Sequence, residues 1–94
     1  VKGQDTAARY GGEEFAVILP DTGPRAARGV AERLRTAVKL TPIRDVSGKL
    51  LPSVTISIGG ALLQPGVTTA TSLMAAADAS LYASKQSGRD RVTL

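Results

Sequence analysis

The stretch Arg9-Tyr10-Gly11-Gly12-Glu13-Glu14-Phe15 sets two glycines directly before two carboxylates, and the carboxylates before an apolar run, Phe15 to Leu19. Glycine takes positive φ without a Cβ clash, so a Gly-Gly pair between short extended segments signals a hairpin turn. It also lets a ligand approach the backbone closely. A carboxylate just past such a turn can point into a cleft while the run behind it is held in a sheet. Bare backbone N–H groups beside paired acids suit a metal-bound phosphate: the amides meet oxyanions and the acids hold the metal. The same residues also suit a plain turn, in which Glu13 and Glu14 alternate sides and one faces solvent.

A second group lies near the other end. Asp78, Tyr82 and Lys85 are spaced to share one stripe of a helix, and Arg89 follows Lys85 by four residues. Gly88 lets the chain leave the helix and turn Arg89 back. Two cations then converge on one oxyanion, as neutralising a triphosphate requires. The simpler alternative is that both complement the negative end of the helix dipole.

The elements that must position these groups are readable in outline. Residues 8–10 and 13–19 form an antiparallel hairpin around Gly11-Gly12, and Phe15–Leu19, apolar on both faces, reads as an interior strand. Pro20 ends it. Asp21-Thr22-Gly23-Pro24 starts a helix that runs to about Lys39. Ala27, Val30, Ala31, Leu34 and Val38 form its buried stripe, with Arg25, Arg28, Glu32, Arg33, Arg35 and Lys39 on a solvated face. Thr41-Pro42 breaks the helix, and Ser47-Gly48 is a turn with weak strands beside it. Val54-Thr55-Ile56-Ser57-Ile58 alternates as a strand, which Ala61-Leu62-Leu63 continues past Gly59-Gly60, a bulge or point of close approach. A second helix starts near Thr71-Ser72, either hydroxyl serving as N-cap, and ends by Gly88. Its inner face carries Leu73, Ala76, Ala77, Ser80, Leu81 and Ser84. Arg91–Leu94 adds a last short strand.

Composition narrows the chemistry. The 94 residues suffice for at most one small domain. With aromatics at 3%, the core must be built from Val, Ile, Leu and Ala. No histidine is present, which excludes a Ser-His-Asp triad and a His metal site; acid–base work falls to carboxylates, lysine, tyrosine or bound water. No cysteine is present, which excludes thiolate metal ligands and suits a reducing, cytoplasmic setting. The net charge of +4 calls for an anionic partner. Nucleic acid is the usual partner for such a charge, but the basic residues are dispersed with no aromatic platform between them, and a nucleotide triphosphate is an equally good anion. No apolar run approaches the roughly 20 residues of a membrane span.

These motifs together resemble the GGDEF domain of diguanylate cyclases. The resemblance rests on Arg9-Tyr10-Gly11-Gly12-Glu13-Glu14-Phe15, on Ala31-Glu32-Arg33-Leu34-Arg35, on Val54-Thr55-Ile56-Ser57-Ile58-Gly59, and on the tail from Ala77 to Val92. They stand in the family's order and spacing over essentially the whole chain. The resemblance implies an α+β, nucleotidyl-cyclase or palm-like fold, a mostly antiparallel sheet with packed helices. It implies condensation of two GTP into cyclic di-GMP with release of two pyrophosphates, using Mg²⁺ or Mn²⁺, with two domains face to face. By motif position, Glu13 is the metal-binding carboxylate that favours deprotonation of the attacking hydroxyl, and Glu14 supports it. Gly11 and Gly12 keep the hairpin open to the nucleotide, and Lys85 and Arg89 bind phosphates. Glu at the third motif position is an accepted variant of the family's Asp. A catalytically inactive module that binds GTP or cyclic di-GMP is the alternative; the intact Gly-Gly-Glu-Glu-Phe favours the enzyme.

The chain departs from the family pattern in two respects. Many members carry Arg-x-x-Asp before the hairpin as a product-inhibition site; here Lys2 and Asp5 occupy those positions, with Arg33 matching a secondary product-contacting arginine. Further, the family's preceding strand, with a second metal-binding Asp, and the helices that recognise guanine are not in these residues. Residues 1–94 are therefore expected to be the C-terminal part of one GGDEF domain, inactive alone. It is expected to expose an apolar edge along the Phe15 strand and to self-associate or form homodimers.

Overall fold

A computed structural model describes residues 6–9, 14–66 and 68–94. Its elements in chain order are β1 (Thr6–Arg9), β2 (Phe15–Ile18), α1 (Pro24–Leu40), β3 (Ile58–Gly59), α2 (Ala70–Gln86) and β4 (Val92–Thr93). The α+β class expected from the sequence is the one found.

β1 and β2 pair antiparallel, with Thr6 opposite Ile18 and Arg9 opposite Phe15. This is the expected hairpin, and its register leaves residues 10–14 to join the strands. The Tyr10–Glu13 part of that connection lies outside the described residues. β2 is not interior: β1 is its one described strand partner, and Phe15 is 73% and Ile18 63% exposed. The apolar run on both faces marks a strand built to be covered on both faces, a cover that the described residues do not provide.

α1 begins with Gly23 as N-cap and Pro24 in the first turn, where the missing N–H is no loss. Its expected stripe turns inward, with Ala31 buried and Ala27, Val30, Leu34 and Val38 half-buried. Thr41 closes it. The Ser47-Gly48 turn is present: Gly48 has φ +85°, and Asp45 Oδ1 accepts hydrogen bonds from Ser47 N and Lys49 N. The weak strands expected beside it reduce to one bridge, Arg44 opposite Leu50.

The strand expected over 54–63 shrinks to Ile58–Gly59, paired parallel with Val92–Thr93. A strand exists only where a ladder partner exists, and β4 offers two residues. Val54 is accordingly exposed, whereas Ile56 and Ile58 are half-buried.

α2 is capped by Thr69, not by Thr71 or Ser72. Thr69 Oγ1 accepts from Ser72 N at 3.0 Å, and Ser72 Oγ accepts from Thr69 N at 3.1 Å, a reciprocal capping box. Its inner face is the expected one, with Ser84 fully buried. The small core lies where α2 covers β3 and β4 and where α1 reaches β4. Ser84 Oγ donates to Ile58 O at 2.8 Å. Its single proton is then spent, so Thr93 Oγ1, 2.7 Å away, donates to Ser84 Oγ. Helix and both strands of this sheet thus meet at one hydroxyl.

Candidate nucleotide-binding site

The strand-joining residues carry the acidic half of the site. Gly11, Gly12 and Glu13 lie outside the described residues, as do Lys2 and Asp5. Glu14, immediately before β2, is exposed. It makes no ion pair with Lys85 or Arg89 among the described residues.

The basic half sits at the end of α2, and the chain geometry there explains itself. Ser87 is the C-cap, and Gly88 follows with φ +116°. Arg89 N donates to Ser84 O at 2.9 Å, the six-to-one bond of a Schellman motif. Gly88 thus ends the helix as its position suggested. Lys85, in the last turn, and Arg89 are both exposed, and neither forms an ion pair among the described residues. Arg91 lies alongside, its Nε donating to Arg89 O at 3.0 Å.

Sequence reasoning missed what holds this corner. Asp90 Oδ1 accepts from Arg35 Nη1 at 2.8 Å, and Asp90 Oδ2 from Lys39 Nζ at 2.7 Å. Arg35 Nη2 also meets Glu32 Oε2 at 3.1 Å. Arg35 and Lys39 are therefore not merely part of a solvated face: they reach across from α1 to the turn after α2. The Lys39 bond, followed by the Arg35 bond, holds the Asp90 carboxyl below the ordinary aspartate range. Glu32 first, then Asp90, raise the pKa of Arg35. The i, i+4 spacing of Arg35 and Lys39 was a legible signal for one shared anion, though not for which one. Arg33, in contrast, is exposed on α1 beside Thr36 and Ala37.

The donor chemistry suits a hard divalent cation. With no histidine or cysteine, the hard side-chain ligands of the chain are oxygens, and Glu14 is a carboxylate with no cation partner among the described residues. No group of three potential ligands forms among the described residues. Mg²⁺ is commonly held by one or two carboxylates with water and substrate phosphates completing its shell, and a carboxylate such as that of Glu14 is a ligand of that kind.

A family model described as diguanylate cyclase, GGDEF domain, matches residues 1–91. The chain belongs to the GGDEF family, whose fold is the palm-like α+β fold of nucleotidyl cyclases. It is 50% identical over 90 residues to diguanylate cyclase A of Treponema denticola, covering 96% of this chain and 24% of that protein. The crystal structure of the GGDEF domain of DgcB from Caulobacter crescentus, in complex with c-di-GMP, superposes with a TM-score of 0.91 at 41% identity. That match covers 98% of this chain and 52% of the solved one. Diguanylate cyclase SiaD from Pseudomonas aeruginosa, solved with its activator SiaC, superposes at 0.82 with 35% identity, covering 99% and 35% of the two chains. The chain thus spans about a quarter of the length of the curated relative. No described helix is long and apolar enough to cross a membrane.

Proposed function

We propose that residues 1–94 are the C-terminal part of one GGDEF domain, and that the protein carrying them condenses two GTP into cyclic di-GMP and two pyrophosphates in the cytoplasm. The observation that carries this reading is the family match over residues 1–91 with Gly11-Gly12-Glu13-Glu14 intact between paired strands.

In this reading Gly11 and Gly12 leave the backbone open to the nucleotide. Glu13 holds Mg²⁺ or Mn²⁺ and favours loss of the attacking hydroxyl's proton, and Glu14 supports it. What the cation supplies is neutralisation of charge developing on the transferred phosphoryl and the leaving pyrophosphate. Lys85 and Arg89 take further phosphate charge from the end of α2. Each 3′-hydroxyl attacks the α-phosphate held by a partner domain, so self-association is part of the chemistry. The family's second metal-binding Asp is not among residues 1–94, so the reading concerns the protein that carries them.

The test is incubation of the full-length parent with GTP and Mg²⁺, followed by chromatography for cyclic di-GMP. Product that disappears in Glu13→Ala supports the reading. A parent that binds a non-hydrolysable GTP analogue without turnover is instead a regulatory module, and one that binds neither nucleotide refutes both.

A further inference from the structure

Three successive residues at the end of α2 have positive φ: Gly88 at +116°, Arg89 at +63° and Asp90 at +47°. Glycine does this freely. Residues with a Cβ do so at a cost, and such backbone persists only where its surroundings over-determine it. Here the surroundings are specific. Arg89 N is tied to Ser84 O, and Arg89 O accepts from Arg91 Nε. The Asp90 carboxylate is gripped on both oxygens, by Arg35 Nη1 and Lys39 Nζ. The Arg35 and Asp90 side chains are only 20% and 26% exposed, so water screens this contact less than an ordinary surface pair.

The grip also settles a competition. An aspartate next in the chain to an arginine is a ready local partner for it and repels any incoming phosphate. With both oxygens taken by α1, Asp90 leaves the exposed Arg89 guanidinium for an external anion. Glu32 in turn meets Arg35 at 3.1 Å, which fixes the guanidinium from its other side.

We propose that Asp90 and Arg35, with Lys39, are positioning residues that lock the left-handed Arg89-Asp90 turn and so present Arg89 to a triphosphate. The proposal rests on the reading of Lys85 and Arg89 as phosphate-binding cations. It makes a prediction opposite in sign to simple charge. Asp90→Ala removes a negative charge beside the anion site, so Coulomb's law alone tightens phosphate binding. Positioning loosens it.

The experiment uses the full chain, inorganic tripolyphosphate as probe, and two readouts: affinity by calorimetry and hydrogen exchange at the Arg89 amide. Asp90→Ala is expected to weaken tripolyphosphate binding roughly tenfold and to speed Arg89 exchange by a similar factor, while the Lys49 amide, held by its own bond to Asp45, is unchanged. Asp90→Asn, whose side chain tolerates left-handed backbone, keeps the turn foldable and is expected to lie between Asp90→Ala and wild type. Arg35→Lys is expected to restore part of what Arg35→Ala loses. Equal or tighter binding in both Asp90 variants overturns the proposal and leaves the phosphate reading standing. A wild-type chain that takes up no tripolyphosphate overturns the phosphate reading, and the proposal with it.

Discussion

The α-carbon of Gly59 lies against the backbone of Leu81, so closely that a methyl group built on it runs into Leu81 N and Cα and comes within 2.6 Å of Ala77 O. All three atoms are helix backbone, which cannot rotate aside as a side chain can. The glycine is therefore what lets α2 settle onto β3. Ser84, about one turn further along the helix, then reaches Ile58 O.

Gly59→Ala pushes α2 off the sheet and stretches the Ser84 bond. The expected loss is about 2–3 kcal/mol of stability, read from the shift in urea midpoint. Gly29→Ala is the comparison. Its methyl group meets only the end of the Arg33 side chain at 3.5 Å, in the middle of α1. Helix propensity then favours alanine, so a gain of about 0.5–1 kcal/mol is expected. Equal effects at the two glycines would contradict the close approach.

Asp90 gives the chain an acid-sensitive tie. Lys39 first, then Arg35, keep its native carboxyl below the ordinary range. A carboxyl that binds its proton less readily when folded adds stability that is complete above the unfolded aspartate value, about 3.9. That stability is lost as pH falls through the lower native value. Asp45 behaves likewise for a local reason, the Ser47 hydroxyl first and then the Lys49 N–H. Carboxyl-carbon titration by NMR is expected to place both midpoints below that of a free aspartate. Lys39→Ala should raise the Asp90 midpoint and leave that of Asp45 alone. An Asp90 midpoint at the free value would remove the tie.

The sequence was informative where its signal is local. The hairpin could be placed because glycines and flanking apolar residues fix a turn without help from the rest of the chain. The stripes of α1 and α2 could be placed because 3.6-residue periodicity is written along the helix itself. The cap of α2 is not legible in sequence because Thr68, Thr69, Thr71 and Ser72 all offer hydroxyls. Only the reciprocal Thr69–Ser72 bonding selects among them. The alternation at Val54–Ile56 forms no strand because alternation reports a face to be buried, not a partner to pair with. The Asp90 contact crosses 55 residues to Arg35, and no local pattern encodes it.

The exposed apolar side chains of β2 bear on association. Phe15 and Ile18 stand 73% and 63% exposed on a strand with one described neighbour. Water disfavours such a surface, and an open strand edge offers backbone groups to a second chain. The chain is expected to sediment as dimers or larger species. Phe15→Thr with Ile18→Thr should shift it toward monomer while leaving its helical circular dichroism in place. A wild-type chain that sediments as a monomer at every concentration would show that these side chains drive no association.

Lys2 makes the regulatory consequence testable in the parent protein. Many family members carry Arg-x-x-Asp where this chain has Lys2 and Asp5. Lysine keeps the charge but offers a point donor. The guanidinium is a planar fork that can grip a phosphate or a guanine edge through two parallel hydrogen bonds. Losing one charge-assisted bond of such a pair weakens binding by roughly tenfold or more. Cyclic di-GMP is therefore expected to bind and inhibit the parent only weakly through this position, and Lys2→Arg is expected to tighten both by about that factor. Isothermal titration with cyclic di-GMP, alongside inhibition of turnover, measures the two together. Equal and tight binding by both proteins would mean that the ammonium serves as well as the fork. Equally weak binding would mean that Arg33 or Asp5 fails to complete the site.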